Sequence, residues 1–127
     1  MKECISSDKA PAAVGPYSHA VRCGNLVYTS GQIAIDPATG AMVENDISSQ
    51  TEQCIKNLES VLQAAGCSLS DIIKSTVFIT NMADFEIVNK IYASFFSGNF
   101  PARSVVEARS LPKNALIEIE AVACKLR

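Results

Sequence analysis

The chain has 127 residues, the size of one domain, and its 11 Lys and Arg against 13 Asp and Glu give a formal net charge of -2, so it lacks the basic field that grips a phosphate backbone. A nucleic-acid partner is therefore not expected, nor is a membrane one: no stretch reaches the apolar length of a spanning helix, and MKECISSDKAPAA lacks the apolar run of a secretory leader. Five widely spaced cysteines, with no CxxC pair, read as reduced thiols in the cytoplasm, and a lone histidine without HxH, HxxxH or HExxH spacing predicts no metal site.

In chain order, short extended segments are predicted near residues 2 to 5 and 17 to 22. Between them Gly15-Pro16 is a turn signal that delivers Tyr17 to extended chain; taken alone, Tyr17 reads as a half-buried packing residue. Leu26 to Gln32 is the third strand. Gly31, inside its YTSGQI pattern, signals a bulge or a close backbone approach to a ligand, with an ordinary strand bend as the competing reading. A helix spans about Asp46 to Ala65, because Ile47, Thr51, Cys54, Ile55, Leu58, Val61, Leu62 and Ala65 fall on one stripe, with Asp46 as cap and Gly66 as stop.

The β-branched run Ile72 to Thr80 is a strand. A second helix covers about Asp84 to Phe96 on the spacing of Phe85, Val88, Tyr92, Phe95 and Phe96, with Asp84 as N-cap and Gly98 and Pro101 ending it. Arg103 to Arg109 and Ala115 to Cys124 complete the strands. There is no repeat or linker, so residues 1 to 127 form a single domain. Two such helices cover one face of a sheet and not both. In Ala115 to Ala123 the odd positions are small or aliphatic, whereas Leu116, Glu118, Glu120 and Val122 make a mixed apolar and acidic face that suggests a subunit interface carrying a site.

Candidate chemistry centres on Phe100 to Ala121. Arg103 follows Phe100, Pro101 and Ala102, an apolar and rigid approach that would partly desolvate a guanidinium and suit it to a bidentate carboxylate. If the last two strands pair antiparallel across their short connection, Arg103 comes near Glu118 and Glu120. The competing reading is a surface salt-bridge ladder, since Arg103, Glu107 and Arg109 share a face with Val105. His19 reads equally as a satisfied polar residue or a proton carrier and receives no role. Cys54 and Cys67 are explained by packing and turn context, and Ser30 has no identifiable base beside it.

Together, APAAVGPYSHA, TSGQI, the AAG helix stop with TVFIT, FEIVNKIYASFF and FPARSVVEARSLPKNALIEIEAVA resemble the Rid (reactive intermediate deaminase) family, also called YjgF, over nearly the whole chain. The resemblance implies an α+β, chorismate-mutase-like fold: a mixed sheet of about six strands with two helices on one face, assembled as a homotrimer with sites in the clefts between subunits. It implies cofactor-free hydrolysis of enamine and imine acids such as 2-aminoacrylate and 2-iminobutyrate to 2-oxo acids and ammonia. By the same resemblance the carboxylate-binding arginine is Arg103, the site glutamate Glu118 and the site tyrosine Tyr17. Ser30 and Gly31 supply backbone, and Asn89 lines the site. Val105 stands where the family often has Cys, which bears on substrate preference. Two other functions are weighed: a metabolite-binding module that holds 2-oxo acids without turnover, and the endoribonuclease or translation-inhibitor activity of some relatives, which the acidic balance and lone histidine disfavour.

Overall fold

The computed structural model describes residues 1–126. Its strands are β1 (Lys2–Ile5), β2 (Ala20–Cys23), β3 (Leu26–Thr29), β4 (Ile72–Ile79), β5 (Ala102–Glu107) and β6 (Ile117–Cys124), and its helices are α1 (Ile47–Ala64) and α2 (Phe85–Ser94). The strands form one sheet in the order β1-β2-β3-β6-β4-β5. Every pairing is antiparallel except β4 with β5, whose crossover through α2 returns the chain to the same end and so imposes parallel pairing.

The α1 stripe packs as its periodicity predicts, with Cys54, Ile55, Leu58, Val61, Leu62 and Ala65 buried against the sheet. Asp46 caps its start, accepting from the Ser49 amide at 2.7 Å, and Gly66 follows its end at a φ of 79° that favours glycine. The same stripe also buries Gln50 and Asn57. On β6 the alternation is complete: Ile117, Ile119, Ala121 and Ala123 are buried, as is Ala115 before the strand. A strand with that face gains most from a central position, where both edges are paired and the helices lie over it. Each fully buried Ile or Val there contributes about 1.5–3 kcal/mol, so Ile119→Ala would be among the most damaging single changes.

Both helices lie on one face. On the other, the register puts Lys74, Thr76 and Phe78 of β4 beside Glu118, Glu120 and Val122 of β6, and Tyr28 of β3 opposite Val122. This face is the mixed apolar and acidic one expected from sequence.

Three expectations need correction. The last two strands do not pair with each other: β4 lies between β5 and β6 and pairs with both, because the α2 crossover commits β5 to one edge of β4 and leaves the other for β6. Asp84 makes no side-chain cap; a 3-10 turn, Met82–Asp84, runs straight into α2, and Asn81 caps that turn by accepting from the Ala83 amide at 3.0 Å. The salt-bridge ladder does not form among the described residues: Glu107 instead accepts from the Met82 amide at 2.8 Å, and Arg109 lies beyond the end of β5.

Candidate functional site

The bulge signalled by Gly31 is present. Tyr28 pairs with Val122 and, further on, Gln32 bridges Ile119, so Thr29, Ser30 and Gly31 stand against only Ala121 and Glu120. The displaced ladder is repaired by side chains. Thr29 Oγ1 accepts from the Ala121 amide at 3.0 Å, and the Ser30 hydroxyl donates to the Ser18 carbonyl at 2.6 Å. The Ser30 amide donates to the His19 carbonyl at 2.9 Å, so the bulge is tied to the N-terminal segment that carries Tyr17.

Gly31 faces Glu118 at close range. A Cβ at position 31 would stand 2.8 Å from Cδ and 3.0 Å from Cγ of that glutamate, so the missing side chain is the space the carboxylate occupies. The two residues line a cavity of about 570 Å³ with Tyr17, Ser30, Ile33, Ile35, Lys113 and Glu120. Burial, reinforced by the neighbouring charge of Glu120, holds the Glu118 carboxyl above the usual glutamate range. Such a group can carry a proton closer to neutrality than an exposed glutamate. Tyr17 is 49% exposed and forms a wall rather than packing in the core. Lys113 and Asn114 both have a φ of 56°, an uncommon conformation away from glycine, and this turn brings Lys113 to the cavity wall. Sequence reading missed Lys113; the LPKN turn after β5 was its only signal.

His19 is buried and bridges the N-terminal segment. Its Nδ1 accepts from the Ser7 amide at 3.0 Å, and its Nε2 lies 2.7 Å from the Pro11 carbonyl. Only the neutral Nε2–H tautomer satisfies both partners. It is a structural staple for the wall containing Pro11, Ala12 and Val14.

Arg103 sits elsewhere. In register with Ser75, it points to the helix-covered face, where its guanidinium lies 5.0 Å from the ring centre of Tyr92 and 5.8 Å from that of Phe85. Stacking on two rings restrains the fork and thins its water shell. Tyr92 is itself fixed by a 2.7 Å hydroxyl contact with the buried Ser75. Burial raises its phenol above the ordinary tyrosine value, against the opposing effects of that hydrogen bond and of Arg103. Asn89, Phe100 and Pro101 complete a second cavity of about 360 Å³ around Arg103. Asn89 Oδ1 is buried there without a hydrogen-bond partner among the described residues, an unsatisfied acceptor at the edge of the cavity. Val105 follows on the same face, half-buried against the core.

The candidate residues therefore fall into two groups. One chain brings Tyr17, Ser30, Gly31 and Glu118 together, and separately gathers Asn89, Arg103 and Val105. Glu118 and Arg103 lie on opposite faces of the sheet, with β4 between their strands. Among the described residues there is no group of three or more His, Cys, Asp or Glu that could hold a metal ion, and no helix is long and apolar enough to cross a membrane.

Residues 7–125 match the family model described as Endoribonuclease L-PSP. A RutC family protein of Pyrococcus horikoshii is 50% identical over 98% of this chain and 99% of its own. A 2-iminobutanoate/2-iminopropanoate deaminase of Salmonella typhimurium is 47% identical over 98% of this chain and 99% of its own. Among solved structures, a protein of the conserved Rid family from Yersinia pestis superimposes with a TM-score of 0.96 at 50% identity, covering 98% of this chain and all of its own.

Proposed function

Because this chain belongs to the Endoribonuclease L-PSP family, the family also called Rid and YjgF, we propose that it hydrolyses enamine and imine acids, 2-aminoacrylate and 2-iminobutyrate among them, to 2-oxo acids and ammonia. The observation that carries the reading is the half-buried Glu118 carboxyl, raised in pKa and set against the bare backbone of Gly31. That arrangement can take a proton from a water molecule and return it.

An enamine first tautomerises to its imine, which is electrophilic once protonated. The Arg103 fork binds the substrate carboxylate by two charge-assisted hydrogen bonds, and main-chain groups near Gly31 and Val105 orient the nitrogen. Glu118 accepts a proton as water adds to the imine carbon. It then delivers that proton to nitrogen and takes up the proton of the new hydroxyl as the C–N bond breaks, so that ammonia and the carbonyl are released and the carboxyl returns its proton to solvent. Tyr17 and Ser30 shape the wall, and Asn89 lines the cavity beside the carboxylate grip. No cofactor enters this scheme. Free thiols at all five cysteines suit a reducing, cytoplasmic setting.

Since Arg103 and Glu118 lie on opposite faces of one sheet, the complete site forms between subunits: the Arg103 cavity of one chain meets the Gly31–Glu118 cavity of the next in a homotrimer. The uncovered mixed face supports this assembly.

Arg103→Ala is expected to lower kcat/KM by about 10² or more, the value of a bidentate charged contact, with imine generated in situ by a dehydratase. Mixing Arg103→Ala with Glu118→Gln subunits should restore about a quarter of wild-type activity, the share of clefts in a randomly mixed ring that receive both intact residues. No recovery in demonstrably mixed oligomers would refute the shared site. A protein that binds 2-oxobutanoate without any turnover would be a metabolite-binding module instead.

A further inference from the structure

Between the bulge and α1, the chain from Ile33 to Val43 has little regular pairing. The Ile35 amide donates to the Ile33 carbonyl at 2.9 Å, Asp36 to Ala41 at 2.8 Å and Val43 to Ala34 at 3.0 Å, and no strand ladder runs through it. Yet Ile33 and Ile35 line the Gly31–Glu118 cavity. Irregular backbone at a cavity wall must be held by something else, and here α1 supplies it.

Asn57 is 1% exposed, in the middle of a helix where its intrinsic preference is poor and a leucine would serve the core better. Its Nδ2 donates to the Ile33 carbonyl at 3.0 Å and to the Ile35 carbonyl at 2.8 Å. The amide orientation is set from its other end, since Oδ1 accepts from Gln53 Nε2 at 2.9 Å. Two other residues of the stripe bind the strands beside the cavity. Cys54 Sγ donates to the Gln32 carbonyl at 3.0 Å, and Gln50 Oε1 accepts from the Leu116 amide at 2.9 Å, two residues before Glu118. Positions 50, 54 and 57 share one helix face, which makes a polar rail under both edges of the cavity.

We propose that Asn57, remote from the reacting atoms, is a positioning residue of the site: it fixes the Ile33 and Ile35 carbonyls and so the backbone that holds Gly31 against Glu118. The role rests on the deaminase reading for its catalytic consequence, but its structural half does not.

The test compares Asn57→Leu with Leu58→Ala, a cavity-forming change on the same helix that touches none of these carbonyls. Both are studied at a temperature where circular dichroism shows them folded. One readout is the titration midpoint of Glu118, followed by carboxyl carbon NMR and independent of turnover. The groups around Glu118 are Glu120 on its own strand, Lys113 from the turn and Tyr17 from the N-terminal segment, with Cys54 of α1 on the other side of the sheet, and both variants leave them unchanged. The other readout is kcat and KM with imine generated in situ.

Asn57→Leu is expected to move the midpoint down toward the ordinary glutamate value as the wall loosens, and to cut kcat/KM by about tenfold or more. Leu58→Ala should leave the midpoint in place. Gln53→Ala, which removes only the bond that orients the amide, should move the midpoint the same way by less, and it serves if Asn57→Leu does not fold. An unmoved midpoint in every folded Asn57 or Gln53 variant, or an equal shift in Leu58→Ala, overturns the positioning role. A moved midpoint in a protein whose wild type shows no turnover upholds the positioning role and defeats the deaminase reading instead.

Discussion

Gly31 and Glu118 are fitted to one another: the bulge at the end of β3 takes one residue out of the ladder, Gly31 there has no side chain, and the glutamate from β6 fills the space. Each explains the other. A larger residue at 31 would evict the carboxylate, and a shorter one at 118 would leave a void beside bare backbone.

Gly31→Ala tests that fit. The new methyl meets the flexible end of Glu118 rather than backbone, so the carboxylate turns aside while the fold adjusts, at a cost of about 1–3 kcal/mol. A displacement of this size should cost about 10² in kcat/KM. Kinetics beside thermal melts would check it, and unchanged activity per folded molecule would mean that the position of Glu118 does not matter.

For Glu118→Gln the pH dependence has a definite sign. The folded pKa is raised by burial and by Glu120, so folding favours the neutral carboxyl. Its contribution to stability is fully present below the ordinary glutamate range and is lost as pH rises through the folded value. Glutamine stays neutral, so the variant should be at least as stable as wild type at neutral pH, with the difference vanishing in acid. Turnover should fall by about 10²–10⁴, and the acid limb of the kcat/KM profile should disappear. Urea melts at the two pH extremes read the first effect; a variant less stable at neutral pH would show that the charged carboxylate is structural.

His19→Ala should destabilise the protein by about 2–4 kcal/mol, because the Ser7 amide and the Pro11 carbonyl both lose their partner. His19→Gln can accept from one and donate to the other, so it should recover part of the loss. The KM should rise in His19→Ala as the wall formed by Pro11, Ala12 and Val14 loosens. Denaturant melts showing no loss in the alanine variant would remove the staple role.

Much of the architecture was legible because it depends on local periodicity. The α1 stripe, its Asp46 cap and Gly66 stop, and the buried odd face of β6 all follow from side-chain spacing and backbone freedom within a few residues, whereas at Gly31 a bulge and an ordinary bend were left open until the pairing decided for the bulge. Asp84 stands at the N-cap position of α2 as expected but makes no side-chain cap, because it is also the last residue of a 3-10 turn, which sequence does not distinguish. Gln50 and Asn57 were there to be found: polar residues inside a buried stripe at three-to-four spacing must have partners, though sequence does not say which.

Arg103 and Glu118 mark the boundary between the two kinds of knowledge. Alternation within the last strand determined that Glu118 lies on the face of β6 away from Ile117, Ile119 and Ala121, whereas local pattern left Arg103 between a salt-bridge ladder and a carboxylate grip. Only the tertiary structure decided that they lie apart in one chain, with Arg103 stacked on Tyr92 and Phe85 under α2 and β4 intervening. The physical reason is that strand order is set by competition among all the edges of a sheet. A crossover helix that ties β5 to β4 frees the other edge for β6, and no spacing within the last strands records that outcome.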